Sequence, residues 1–145
     1  DVGPQGLPLV KPPYRRITAI DLDTGEHVWQ IPFGRGPANH PALQHLDLPD
    51  LGSSFTDVSG EGGLLITKSL LISYLAQKDE VDPEAKGSIL VAFNKDTGEK
   101  AGQVMVDRRL HGPVMSYLHD GQQYIAVAGG GRNNDAELIV FALPQ

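Results

Sequence analysis

The chain has 145 residues, 40% of them hydrophobic and 21% charged, with a net charge of −6 and no cysteine. That length allows one globular domain with a sizeable core. The acidic balance, with no basic block, excludes a general affinity for nucleic acid or anionic lipid, and zero cysteines exclude disulfides and thiolate metal sites while leaving the compartment open.

No run approaches the roughly 20 apolar residues of a membrane span, so no membrane insertion by this chain is expected. Asp1 to Gly6 carry neither the basic nor the apolar region of a signal peptide, and the chain begins as though cut from something longer. Seventeen Gly and eleven Pro punctuate short apolar runs, a pattern that predicts an all-β protein with frequent turns.

Residues 1–13, with four prolines and no periodicity, predict an irregular leading segment. Residues 14–33 predict half of a four-stranded unit: a hairpin of Arg15 to Asp21 and His27 to Pro32 around an Asp-Thr-Gly turn. Residues 34–62 form a polar loop, too long for an ordinary connection. Residues 63–107 predict one whole unit with strands at Gly63 to Thr67, Leu70 to Ala76, Ser88 to Asn94 and Lys100 to Asp107. Its second and third strands are separated by a charged, solvent-borne excursion from Gln77 to Lys86. Residues 112–145 predict three strands, Pro113 to Leu118, Gln123 to Ala128 and Glu137 to Leu143, with a Gly-rich corner between the last two.

An internal repeat ties these units together. Ile17 to Glu26 and Leu90 to Glu99 match residue for residue, both ending Asp-Thr-Gly-Glu or its equivalent, and Leu138 to Ala142 is a partial third copy. The spacing of 48 residues between Leu90 and Leu138 is about that of a propeller blade. The expected fold is therefore all-β, a partial β-propeller of about two to three four-stranded antiparallel blades in a single domain.

The spacing Ala19-x-Asp21-x-x-x-Gly25-x-x-x-Trp29 resembles the tryptophan-docking motif of the pyrroloquinoline quinone (PQQ) dehydrogenases, the eight-bladed quinoprotein propellers. Gly25 permits the positive φ of the turn, Asp21 accepts backbone N–H bonds, Ala19 is small enough to lie beneath a neighbour, and Trp29 can cover an adjoining blade. Trp29 is expected to be a buried blade-to-blade contact. Pro12-Pro13-Tyr14, Gly36 to Pro41, Gly112 to Tyr117, Gly121-x-Gln123-Tyr124, Ala128 to Gly131 and the closing Phe141-Ala142-Leu143-Pro144 resemble the C-terminal part of membrane-type glucose and related PQQ dehydrogenases.

This resemblance implies a periplasmic enzyme that oxidises a sugar or alcohol with PQQ and calcium. It also implies a quinone pocket lined in part by Gly62, Gly63, Gly130, Gly131 and Arg132, with Arg132 facing carboxylates. The family's catalytic Asp base and calcium ligands belong to earlier blades, so no residue here is expected to be catalytic, and neither PQQ nor calcium is expected to bind this chain alone. Two departures stand out: Gly102 occupies the second copy's docking-Trp position, and Glu61 stands where methanol-oxidising relatives have a Trp before the Gly-Gly pair. The partners implied are the remaining blades of a longer chain, or a second copy in a homo-oligomer. A non-catalytic propeller-like scaffold or binding module is the alternative, since fold alone does not decide function.

Other constellations carry less. His40, His45, Asp47 and Asp50 match no zinc signature. His111 and His119 fit solvent-facing or backbone-bonded roles. Gly129 to Gly131 lacks the following helix that a phosphate loop needs. Asp21, Asp57 and Asp107 form no paired-carboxylate or Ser-His-Asp spacing, and Asp beside a turn ordinarily bonds the backbone.

Overall fold

The computed structural model describes residues 3–7, 9, 11–34, 41–43, 45–46, 63–78, 86–131 and 134–142. Nearly all regular structure in them is β. Two compact units divide the chain, Asp1–Val58 and Ser59–Gln145.

The first unit holds the hairpin β1 (Arg16–Ile20) and β2 (His27–Pro32). The leading segment, expected to be irregular, contains a short 3-10 turn at Pro4–Gly6, which starts on proline, whose fixed φ suits a helical first position. The second unit holds seven strands. β3 (Leu65–Ile66), β4 (Leu70–Lys78), β5 (Lys86–Asn94) and β6 (Lys100–Val106) form one sheet in that order, and β7 (Leu110–His119), β8 (Gln122–Gly131) and β9 (Asn134–Ala142) form another. All pairs are antiparallel neighbours in sequence, giving sheets of two, four and three strands, as the repeat predicts.

The repeat is reproduced bond for bond. Asp21 Oδ1 accepts the N–H groups of Asp23 and Thr24 at 2.8 and 3.0 Å, and Asn94 Oδ1 accepts those of Asp96 and Thr97 at 2.9 and 3.2 Å. Gly25 and Gly98 share φ 74° and donate to the carbonyls of Asp21 and Asn94 at 2.7 and 2.9 Å. The ladders also slip at the same place, between Ala19 and Ile20 and between Ala92 and Phe93. A short Asx-turn followed by a left-handed glycine is specified by residues close in sequence, so two copies of the motif fold alike.

One difference between the copies is chemical. The turn N–H groups of Thr24 and Asp23 hold the Asp21 carboxyl below the ordinary carboxylate range, whereas Asn94 does not titrate. A lowered folded pKa contributes stability above the unfolded value and loses it as pH falls through the folded value. Acid titration of unfolding is therefore expected to show a contribution from Asp21 that Asp21→Asn removes, with little change at neutral pH because Asn keeps the acceptor. An unchanged acid limb in Asp21→Asn would contradict this.

The core of the second unit lies between its two sheets. Ile72, Tyr74, Leu90 and Val106 from one pack with Leu110, Val114, Ile125 and Val127 from the other, with Leu65, Leu70, Ala92, Ile139 and Phe141 around them. Hydrogen bonds cross between the sheets: Tyr74 Oη donates to the Gly112 carbonyl at 2.9 Å, and the Leu110 N–H donates to Ser88 Oγ at 3.0 Å. Burial raises the Tyr74 phenol pKa and so keeps it a donor. Tyr74→Phe removes that donor and is expected to cost about 1 kcal/mol, measured by chemical denaturation, with no change in fold.

Several strand limits differ from the sequence expectation. β4 and β5 run through Lys78 and Lys86, so both flanks of the charged excursion are paired strand; residues 79–85 lie outside the described residues. β7 starts at Leu110 rather than Pro113 and passes through Pro113 by a register shift between His111 and Met115. Gly112, at φ 70°, and Pro113, with no N–H, make that bulge, which is where proline is tolerated in a sheet. β8 continues to Gly131, so the run expected to be a corner is paired strand with a bulge between Gly129 and Gly131.

Trp29 departs too, being half-buried rather than buried. β2 is an outer strand of a two-stranded sheet, which leaves its side chains partly open to solvent. Removing the ring in Trp29→Ala is accordingly expected to cost less than the about 3–5 kcal/mol of a fully packed tryptophan, again by denaturation.

Candidate functional site

Glycines in a β ladder carry no side chain for chemistry, so a site built on them depends on what their backbone and neighbours present. Gly130, at φ 140°, sits in the β8 bulge, and its N–H donates to the Arg109 carbonyl at 3.0 Å. His111 Nε2 lies 2.9 Å from the Gly130 carbonyl. A carbonyl only accepts, so the Nε2 nitrogen carries the proton. This backbone-bonded role is the one expected for His111, and it commits that nitrogen to structure. His119 stands exposed, its Nε2 3.5 Å from Asp120 Oδ2.

Two of these glycines lie close to β9, and at Gly130 the neighbouring atoms are backbone. A Cβ on Gly129 would meet Ile139 Cδ1 at 2.6 Å, and one on Gly130 would meet the Asp135 carbonyl oxygen at 3.0 Å. Gly131 pairs with Asn134. Gly63 lies instead against Pro113, whose Cβ is 3.5 Å from the position a Gly63 Cβ would take, and its carbonyl accepts a long 3.5 Å bond from Ser73 Oγ. Of the five residues expected to line a pocket, Gly62 and Arg132 lie outside the described residues, as do Glu61, His40, Asp47, Asp50 and Asp57.

Two arginines beside the Gly130 bulge belong to no motif of the sequence. Arg108 Nε donates to Glu137 Oε1 at 2.7 Å, and its Nη1 is 3.3 Å from Asp107 Oδ2. The bond to Glu137, then the charge of Asp107, raises the Arg108 pKa further. Arg109 differs: its Nε is buried and has no hydrogen-bond partner. The detectable signal was a basic Arg-Arg-x-His run, Arg108 to His111, in an acidic chain, although only burial separates the two arginines. Among the described residues, no three His, Cys, Asp or Glu side chains come together as a metal site. No helix among them is long and apolar enough to cross a membrane.

The docking motif is in place locally. Ala19 pairs with Trp29 across the ladder, and Ala92 pairs with Gly102 in the equivalent position. Space around Gly102 is open, with nothing within 4 Å of an added Cβ, where the first copy carries its indole.

The profile of the family described as "PQQ: Glucose/ethanol/alcohol dehydrogenase, beta-propeller domain" matches residues 1–125. The chain belongs to this family. Its three antiparallel sheets are those of a partial β-propeller. Among curated relatives, the glycerol dehydrogenase large subunit of Gluconobacter thailandicus is 30% identical over 97% of this chain and 18% of its own length. The quinate/shikimate dehydrogenase (quinone) of Acinetobacter baylyi is 28% identical over 97% and 17%. The quinoprotein glucose dehydrogenase of Escherichia coli K12 is 26% identical over 99% and 17%. The PQQ-family chain described here thus spans less than a fifth of the length of these relatives.

Proposed function

We propose that this chain is the C-terminal part of a periplasmic PQQ-dependent dehydrogenase that oxidises a sugar or alcohol, and that it supplies scaffold and part of one wall of the quinone pocket. The observation that carries this reading is the match over nearly the whole chain to relatives more than five times its length. In that setting, the Trp29 motif would dock one blade on another.

PQQ is an anionic polycarboxylate, so its pocket needs cationic and N–H donors free to meet it. Among the described residues, Arg108 is already committed to Glu137 and the Arg109 Nε is enclosed by protein, so the cationic donors of such a pocket are sought in Arg132 and in the other blades. Calcium does not fit the described residues, which bring together no set of three ligands. When bound, PQQ supplies the two-electron redox chemistry of the oxidation. This chain's part is to fix the β8 bulge through the bond from the Gly130 N–H to the Arg109 carbonyl and the bond from His111 to the Gly130 carbonyl.

The isolated chain, with PQQ and calcium added, is expected to show no dye-linked oxidation of glucose or simple alcohols above a no-protein control. Upstream coding sequence is expected to encode further docking repeats, calcium ligands and an Asp base. Turnover by the isolated chain would overturn the division of labour, and an upstream region without those elements would favour a non-catalytic scaffold.

The outer face of the β7–β8–β9 sheet supports a proposal about partners. Met115, Tyr117, Leu138 and Val140 are 50%, 40%, 63% and 43% exposed, and Tyr117 stacks on Tyr124 with centroids 5.1 Å apart. Contiguous apolar surface with β9 as an outer strand favours association, and the chain alone is proposed to pair with a second copy. Light scattering is expected to give a mass above the 15.6 kDa of the monomer. A monodisperse monomer would end the proposal.

A further inference from the structure

The bulged end of the last sheet has little ladder to hold it. Among the described residues β9 pairs on one side only, with β8, and that ladder is regular as far as the Gly129–Glu137 rung; beyond it the register shifts before Gly131 meets Asn134. A strand end held by one interrupted ladder opens locally at little cost. The stretch that leads into β7 supplies three ties against this. The Arg109 carbonyl accepts the Gly130 N–H at 3.0 Å and His111 Nε2 donates to the Gly130 carbonyl at 2.9 Å, so two of the ties end on β8. The third goes on to β9, where Arg108 Nε donates to Glu137 Oε1 at 2.7 Å.

Leu110, Gly129 and Glu137 form one row across the three strands, and Arg108 stands two residues ahead of that row. Two strand spacings are about 9–10 Å, so the arginine must lie along the sheet to span them. Gly129 leaves the way clear: it has no side chain, and Arg108 Cβ is 3.5 Å from the position that a Cβ there would take. The side chains of the pair are 39% and 47% exposed, and most ion pairs this open contribute little. This one differs in its short charge-assisted hydrogen bond and in a second anion on the same guanidinium, Asp107 Oδ2 at 3.3 Å from Nη1. We infer that Arg108 is a strap, a positioning residue that crosses β8 over Gly129 and holds the bulged end of β9 closed. The Arg108–Glu137 bond then sets how often the stretch from Asn134 to Leu138 opens, while the core between the two sheets does not depend on it.

Hydrogen exchange of the ¹⁵N-labelled chain reads local opening directly, with the amides of Val114, Ile125 and Val127 as the reference for the core. Arg108→Met and Glu137→Gln are each expected to speed exchange of the β9 amides between Asn134 and Leu138 about fivefold relative to that reference, the upper end for a partly exposed pair. The double variant should exchange no faster than either single one, because both substitutions remove the same bond. Sodium chloride at about 1 M, which shortens the screening length to about 3 Å, should speed the same amides in the wild type and leave those of Arg108→Met unchanged.

Unchanged β9 exchange in the single variants would mark the pair as an incidental surface contact and overturn the strap. Effects that add in the double variant would overturn it because the two residues then act separately. Faster exchange that extends equally to Val114, Ile125 and Val127 would do so because the whole fold, not one strand end, is then loosened, and so would a salt response that persists in Arg108→Met.

Discussion

Leu110→Ala is expected to lower the unfolding free energy by about 2–5 kcal/mol, the range for a large-to-small change in a packed core. Leu110 is 0% exposed and belongs to the cluster in which Ile72, Tyr74 and Leu90 of the four-stranded sheet meet Val114, Ile125 and Val127 of the three-stranded one. Its N–H is also satisfied across the gap, by Ser88 Oγ. The substitution removes side-chain volume where two sheets meet. Neither backbone can close the space without disturbing its own ladder. Denaturant unfolding monitored by circular dichroism measures the loss. A change under about 1 kcal/mol would mean that the two sheets are not held by this core. Ser88→Ala probes the polar half of the same joint: it leaves a buried N–H without an acceptor, at a cost of about 1–3 kcal/mol.

Gly130→Ala is the second large effect expected, about 2–4 kcal/mol from backbone strain and overpacking together. At φ 140° the residue occupies a conformation that side chains other than hydrogen rarely adopt, and the added Cβ would meet the Asp135 carbonyl oxygen at 3.0 Å and Ala136 Cα at 3.1 Å. Both obstacles are backbone, fixed by the β8–β9 ladder, so relief requires moving the strand. That movement would loosen the bond from His111 Nε2 to the Gly130 carbonyl, and a shift of the His111 ring resonances should accompany the loss of stability. Gly129→Ala is the control: its nearest obstacle is Ile139 Cδ1 at 2.6 Å, the end of a side chain that can turn away. A Gly130→Ala protein as stable as wild type would show that the bulge is not constrained as described.

The sequence by itself determined the local structure and the family. Asp21 to Gly25 and Asn94 to Gly98 make their turns with bonds between residues at most five apart, so the same letters produce the same hairpin and the same ladder slip in both places. The number and order of strands followed from that repeat, and the docking spacing from Ala19 to Trp29 pointed to the quinoprotein propellers. Only the tertiary structure decided how far strands run and which polar groups are buried. Gly129 to Gly131 resembles a turn in sequence because glycine marks turns, yet it is strand here, paired with β9 through a bulge at Gly130 where the Asp135 carbonyl and Ala136 Cα leave little room for a Cβ. Trp29 resembles a buried clamp by its spacing, yet it is half-buried on an outer strand. Arg108 and Arg109 are adjacent identical letters. Glu137 reaches the first, while among the described residues the Nε of the second is buried without a hydrogen-bond partner, a difference set by residues that are distant in the chain and brought near only when the sheets fold.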